Sequence, residues 1–146
     1  MIEPRTAPYA ALLLRVTLGA LFLAHAGLKL VVFTPAGTAK FFGSLGLPPA
    51  LAYLTIALEV IGGVALILGL WTRIAAIVLV PVLLGAILMV HGGAGFFFTN
   101  ANGGWEYPAF WTIALVVQAL LGDGAYALRG SRPEVAVGTL NSSLSR

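Results

Sequence analysis

The chain of 146 residues is 60% hydrophobic and only 9% charged, whereas soluble domains carry roughly 25% charged residues. This composition excludes a soluble enzyme and predicts an all-α integral membrane protein with one helical domain. The net charge of +3 gives no indication of a nucleic-acid partner, and the absence of cysteine excludes thiol redox chemistry, disulfides and thiolate metal sites.

The first predicted span covers about residues 9–33 and contains three ionisable side chains, Arg15, His25 and Lys29. At about 100° per residue, Lys29 lies roughly 40° and His25 roughly 80° from Arg15, so the three share one side of the helix. An ionisable group near the bilayer centre costs on the order of 3 kcal/mol. That side is therefore expected to face the protein interior.

Residues 34–49 are too short and too polar to cross a membrane, yet Phe41, Phe42 and Leu45 recur at helical spacing. We interpret this segment as a short interfacial helix between spans one and two. An ordinary loop is the alternative.

The second span, about residues 50–70, places Glu59 near its midpoint, on a face with the Gly62-Gly63 pair. Small residues on a helix face let another helix approach closely. The third span, about 74–91, is almost wholly aliphatic and ends at His91.

Residues 92–106 contain no Lys or Arg and are interpreted as an ordered surface loop or a lid. The fourth span covers about 107–128, with Trp111 and Gln118 on the side that faces the other helices. Residues 1–128 thus form the predicted antiparallel bundle of four transmembrane helices, and residues 129–146 a flexible cytoplasmic tail.

Basic residues flank the spans unequally, which sets the expected orientation in a bacterial inner membrane. One side has only Lys40 and the helix-end Lys29. The other collects Arg5, Arg73, Arg129, Arg132 and Arg146. Both termini are therefore predicted to be cytoplasmic.

Glu59 is the only acidic residue deep in a span, and antiparallel packing places Arg15 roughly 10 Å from its level. We expect a structural ion pair between Arg15 and Glu59, because long side chains bridge such a gap. In this arrangement Lys29 has only Glu106 near its own depth.

The remaining polar residues of the outer end are expected to line a cavity with Glu59 as its floor. The candidate ligand-binding residues are Glu59, His25, Lys29, His91, Glu106 and Trp105. Such a cavity suits a quinone headgroup, a small polar substrate or a proton path. The alternative is that the ionisable residues only hold the helices in register.

Metal sites find little support in the sequence. A haem held by His25 and His91 is disfavoured because the two positions differ in depth by roughly 10 Å. Copper held by Met89 and His91 is equally weak, because two ligands do not complete a coordination sphere.

Several motifs together resemble the DoxX family of small bacterial membrane proteins. They are LRVTLGALFLAHAGLKL, FFGSLGLPP, LEVIGGVALILGLWTR and LLGDGAYAL, spread over about residues 12–128. The resemblance implies a four-helix inner-membrane protein related to the DoxD-type subunit of a thiosulfate:quinone oxidoreductase. The chain departs from the family pattern after its last span, where Arg129 stands in place of the usual acid.

The expected function is a membrane subunit or anchor that couples an oxidoreductase partner to the quinone pool, with a quinone as the candidate cofactor. Two alternatives stay open: a non-enzymatic membrane scaffold or assembly protein, and a small-solute or proton carrier. A carrier of four spans would need to be a homo-oligomer.

Overall fold

A computed structural model of the chain describes residues 3–129, and the regular elements in this range are helices. The helices are α1 (Ala7–Gly27), α2 (Pro35–Ser44), α3 (Ala50–Leu68), α4 (Thr72–Ala86) and α5 (Glu106–Leu121). Within the described range no β-strand occurs, only an isolated bridge between Leu70 and Arg129. The all-α prediction is confirmed, while the predicted tail lies outside the described residues except for Arg129.

Two of these helices continue through wider π-helical turns. Leu28–Val32 extends α1, and Ile87–His91 followed by the short 3₁₀ turn Gly92–Ala94 extends α4. With these extensions the first helix covers Ala7–Val32 (26 residues) and α4 covers Thr72–Ala94 (23 residues), while α3 has 19 residues. All three are long and apolar enough to cross a membrane. The chain is therefore a multi-pass membrane protein.

Helix α5 is shorter than predicted. It has 16 residues, which corresponds to about 24 Å at 1.5 Å per residue, and it ends at Leu121 instead of continuing to residue 128. Gly122 and Gly124, with φ of 86° and 70°, break the helix in a conformation that favours glycine. That a fourth helix crosses the bilayer stays a prediction.

The segment after α5, residues 122–129, crosses the ends of the other helices, and we call it the strap. The amide of Ala125 donates to the Pro8 carbonyl at 2.9 Å, and that of Leu128 to the Leu68 carbonyl at 3.1 Å. The guanidinium of Arg129 lies 4.7 Å from the ring centre of Trp71. The strap thereby connects α5 to the start of α1 and to the end of α3.

Helices α1 and α3 pack antiparallel around a contact between two glycines. A Cβ atom on Gly19 would lie 2.6 Å from the carbonyl oxygen of Gly63, and one on Gly62 would lie 2.8 Å from the Leu79 side chain of α4. The prediction that small residues on α3 permit close approach is confirmed. Gly63 accommodates α1, and Gly62 accommodates α4.

The best-packed core lies in the half of the protein nearer the strap, which we call the strap end. Its buried members are Leu18, Phe22, Leu66, Ala76, Leu79, Leu83, Trp111 and Leu115. Leu115 and Gln118 are fully buried, which confirms that this face of α5 packs against the other helices.

Helix α2 forms where the interfacial helix was predicted, so the alternative of an ordinary loop is wrong. Thr34 caps it by accepting a hydrogen bond of 3.1 Å from the amide of Gly37. Thr38 and Ala39 bury one face of the helix, and α2 packs against α3 and the π-turn of α1. Its location at a membrane surface stays a prediction.

The contact at Gly19 predicts a sharp difference between two glycines of α1. Gly19→Ala should lower the free energy of unfolding by about 1–3 kcal/mol, because the new methyl group meets backbone that cannot move aside. Gly27→Ala is the matched control, since a Cβ there meets nothing within 4 Å. Thermal unfolding in detergent measures both, and equal midpoints would contradict the assignment of this contact.

Candidate functional site

The centre of the candidate site is an ion pair between Lys29 and Glu59. Nζ of Lys29 donates to both carboxylate oxygens of Glu59, each at 2.9 Å. Glu59 is 4% exposed and is the middle residue of α3.

The predicted pair between Arg15 and Glu59 is wrong, and the direction of helical side chains explains why. Side chains tilt toward the N-terminus of their own helix. On α1 this tilt carries Lys29 toward Glu59 and Arg15 away from it. On the antiparallel α3 it carries Glu59 toward Lys29. The expectation that Lys29 had only Glu106 within reach is corrected for the same reason.

Arg15 instead binds backbone carbonyls at the strap end. It donates to Leu66 at 3.0 Å, to Ile67 at 2.6 Å and to Ala125 of the strap at 2.8 Å. Asp123, also in the strap, interacts with it electrostatically. Arg15 therefore adds hydrogen bonds to carbonyls of the last turn of α3 and holds the strap against α1 and α3.

His25 lies one helical turn before Lys29, and its ring is held on two sides. Nδ1 is 2.9 Å from the carbonyl oxygen of Leu21, and the ring centre is 4.9 Å from that of Trp111 on α5. The His25 ring also lies close enough to Glu59 to act on it electrostatically. The prediction that His25 and Lys29 lie on one side of the first helix, facing the protein interior, agrees with these contacts.

His91 ends the π-turn of α4 and connects that helix to the following loop. Its Nδ1 lies 2.9 Å from the carbonyl oxygen of Gly103. The amides of Trp105 and Glu106 donate to the carbonyls of Gly95 and Phe96, each at 3.0 Å. These bonds order the loop, in agreement with the prediction of a structured surface loop.

Glu106 and Trp105, the last two predicted site residues, differ in their positions. Oε1 of Glu106 accepts a hydrogen bond of 2.8 Å from the amide of Phe98, at the rim of the site. Trp105 packs edge-on against Phe96 at 4.8 Å and lies outside the cavity wall that the described residues form. It supports the loop instead of facing a ligand.

A cavity of about 1590 Å³ brings the other predicted residues together. His25, Lys29, Glu59, His91 and Glu106 all contribute to its wall. The rest is mainly aliphatic and aromatic, and includes Phe33, Phe41, Leu51, Leu54, Leu58, Val82, Ala86, Met89, Tyr107 and Trp111. The cavity is thus a large apolar chamber with a few charged and polar groups.

Two parts of this wall were not predicted as site residues. Helix α2 contributes Thr38, Phe41 and Phe42, whose i, i+3, i+4 spacing could have indicated a shared inward face. Trp111, predicted to face the interior, also borders the cavity and packs against Phe22 at 4.5 Å. A sequence pattern can show that a position faces the interior, but not whether it borders a cavity or packs against other side chains.

The described residues give no clustered metal-ligand set. In residues 3–129 no group of three or more His, Cys, Asp or Glu side chains is placed to hold a metal ion. The charged and imidazole groups of the cavity wall are an ammonium, two carboxylates and two imidazoles, and they offer hydrogen bonds and charge to a ligand.

Loss of one charge from the central pair should destabilise the fold. Lys29→Met leaves Glu59 buried without its cation, and we expect the free energy of unfolding to fall by about 3 kcal/mol. The double variant Lys29→Met, Glu59→Leu should recover most of that loss. Lys40→Met, on the exposed side of α2, is the control cation. A double-mutant cycle by thermal unfolding in detergent measures the coupling, and strictly additive losses would contradict it.

Comparison with known proteins gives two similar relatives. One, from Bacillus subtilis (strain 168), is named "Putative oxidoreductase CatD" and is 37% identical over 134 residues, covering 92% of each chain. The other, an uncharacterized protein of Haemophilus influenzae, is 33% identical over 123 residues, covering 83% of this chain and 89% of its own. No solved structure shows significant similarity to the chain.

The family model of DoxX matches residues 10–92, which is more than half of the chain. This segment contains Arg15, His25, Lys29, Glu59 and His91, and therefore both members of the central ion pair. The chain belongs to the DoxX family.

Proposed function

We propose that the protein is a small membrane component of an oxidoreductase system and that its cavity binds a quinone. The observation that carries this proposal is the combination of size and lining in one chamber. Ligand sites are commonly about 300–1,000 Å³ and largely apolar, with a few placed polar groups. The cavity exceeds this range, which leaves room for a ring and part of an apolar tail.

The interior is packed around Arg15 but open around Glu59, and this difference favours a binding function over that of a scaffold. If the ionisable residues served only to hold the helices in register, the space around Glu59 would be filled. Side chains do fill the interior around Arg15, Leu18 and Leu66, which are buried. Around Lys29 and Glu59 the helices instead enclose the cavity.

A carrier is less well supported. Transport would need a polar path from Glu59 past Arg15 to the other side. Between these two levels the described interior contains the buried apolar residues Leu18, Phe22, Leu66 and Leu115. This layer separates the cavity from Arg15.

We further propose that α5 is the fourth span, that the membrane is a bacterial inner membrane and that the strap end faces the cytoplasm. Arg15, Arg73 and Arg129 all contact the strap end of the fold. The cavity end has Lys29 and Lys40. This asymmetry follows the rule that basic residues concentrate on the cytoplasmic side.

The partner would be an oxidoreductase that exchanges electrons with the bound quinone. Support comes from the Bacillus subtilis relative, whose name contains the word oxidoreductase. The protein would then supply the binding chamber and the partner the redox centre. A homo-oligomer is compatible with this arrangement and not required by it.

A side chain that fills the cavity should block binding. Gly85 borders the cavity, and a Cβ there meets nothing within 4 Å, so Gly85→Phe can extend into the chamber without displacing backbone. We expect its affinity for decylubiquinone to fall at least tenfold. Quenching of tryptophan fluorescence in nanodiscs measures binding, because Trp111 borders the same cavity.

Gly27→Phe is the matched control. Gly27 has equally open surroundings but is not part of the cavity wall, so its affinity should stay within about twofold of the unmodified chain. Equal quenching in all three proteins would place the quinone in the lipid and contradict the proposed site.

A further inference from the structure

The two cavity histidines have the same hydrogen-bond arrangement. In each, Nδ1 lies 2.9 Å from a backbone carbonyl oxygen, that of Leu21 for His25 and that of Gly103 for His91. A carbonyl oxygen can only accept, so Nδ1 must carry the proton. In a neutral imidazole the other nitrogen, Nε2, is then an acceptor.

Both Nε2 atoms are available to a ligand. Both rings line the cavity, and neither Nε2 is among the buried, unpartnered atoms of the described chain. Within residues 3–129, no hydrogen bond involves either atom. Each is therefore an acceptor with a fixed direction, held by its carbonyl and, for His25, by Trp111.

The other polar groups of the wall provide few fixed hydrogen-bond donors for these two acceptors. Lys29 uses two of its three N–H donors on Glu59 and retains one. The hydroxyls of Thr55 and Tyr107, which also line the cavity, can donate or accept. The carboxylates of Glu59 and Glu106, also in the wall, add acceptors. The fixed acceptors of the cavity therefore outnumber its one spare fixed donor, on Lys29.

A quinone and its quinol meet these groups differently. A quinone oxygen only accepts hydrogen bonds, so it can pair with Lys29 but leaves both Nε2 atoms unsatisfied. A quinol hydroxyl donates to Nε2 and accepts from Lys29 at the same time. An unsatisfied polar group in a dry site is costly, so such sites discriminate strongly against a ligand that lacks the matching group.

We propose that the cavity binds the reduced, hydroxyl-bearing form of an aromatic ring ligand in preference to the oxidised form, with His25 and His91 as the acceptors. This inference rests on the proposed function, because it specifies the ligand of the same cavity. A tenfold preference for the reduced form would raise the midpoint potential of a bound two-electron couple by about 30 mV. The protein would thereby make its bound quinone easier to reduce.

The test compares three ligands that share one ring and one decyl tail: decyl-1,4-hydroquinone, its dimethyl ether and decyl-1,4-benzoquinone. Binding to the full chain in nanodiscs is measured by calorimetry without oxygen. We expect the hydroquinone to bind at least tenfold more tightly than either of the others. The ether keeps the ring, the tail and both oxygens but carries a methyl group in place of each hydroxyl hydrogen, so it cannot donate.

Variants of each histidine separate the acceptor from the structural role. Asparagine can keep the donation that Nδ1 makes to the carbonyl, but it has no group at the Nε2 position. Glutamine can place its oxygen near that position. His25→Asn and His91→Asn should each reduce the preference for the hydroquinone at least threefold, and the glutamine variants should retain more of it.

The outcomes distinguish this inference from the function on which it rests. Equal or tighter binding of the benzoquinone, with Gly85→Phe still blocking it, would overturn the inference and leave the quinone site in place. A preference unchanged in both asparagine variants would also overturn it. Failure of all three ligands to bind would remove the proposed function itself.

Discussion

The contact between Gly19 and Gly63 fixes how the first two long helices are aligned, and the other polar contacts depend on that alignment. Because a side chain on Gly19 would meet the Gly63 carbonyl, the two backbones meet directly at this level. Two cations on α1 then reach different parts of α3: Arg15 its C-terminal carbonyls, and Lys29 the carboxylate of Glu59. One cation closes the strap end, and the other borders the cavity.

Much of the helical framework could be predicted from the sequence, because long apolar runs have few ways to satisfy their backbone in a membrane. The interior face of α5 and the small-residue face of α3 also follow from helical spacing. The early end of α5 was missed, although Gly122-Asp123-Gly124 was a signal for it. The strap could not be predicted from the sequence, because its hydrogen bonds join residues that are far apart in the chain, such as Pro8 and Ala125.

The ion pair of the candidate site could not be predicted from backbone positions alone. Hydrophobic pattern and depth indicated that Glu59, His25, Lys29 and His91 face the interior, because ionisable groups in a membrane protein turn away from lipid. These residues border the cavity, and their role in binding a ligand stays a prediction. The choice of Arg15 as the partner of Glu59 considered only the level of each backbone position. The direction in which each side chain tilts decides the pairing. The cavity itself depends on how five helices fit together, which no single helix pattern reveals.

The long separation of Arg15 from its partners has a consequence for biosynthesis. The first helix enters the membrane before the rest of the chain has been made, yet Lys29 must wait for Glu59, 30 residues later, and Arg15 for Ala125, 110 residues later. At about 5–20 residues per second, the second interval lasts roughly 5–20 seconds. Until Glu59 has been made, the cell's insertion machinery must shelter a helix with two uncompensated cations, and until Ala125 has been made Arg15 lacks its contact with the strap. The rate of translation and the supply of insertase should therefore govern the yield of this small protein.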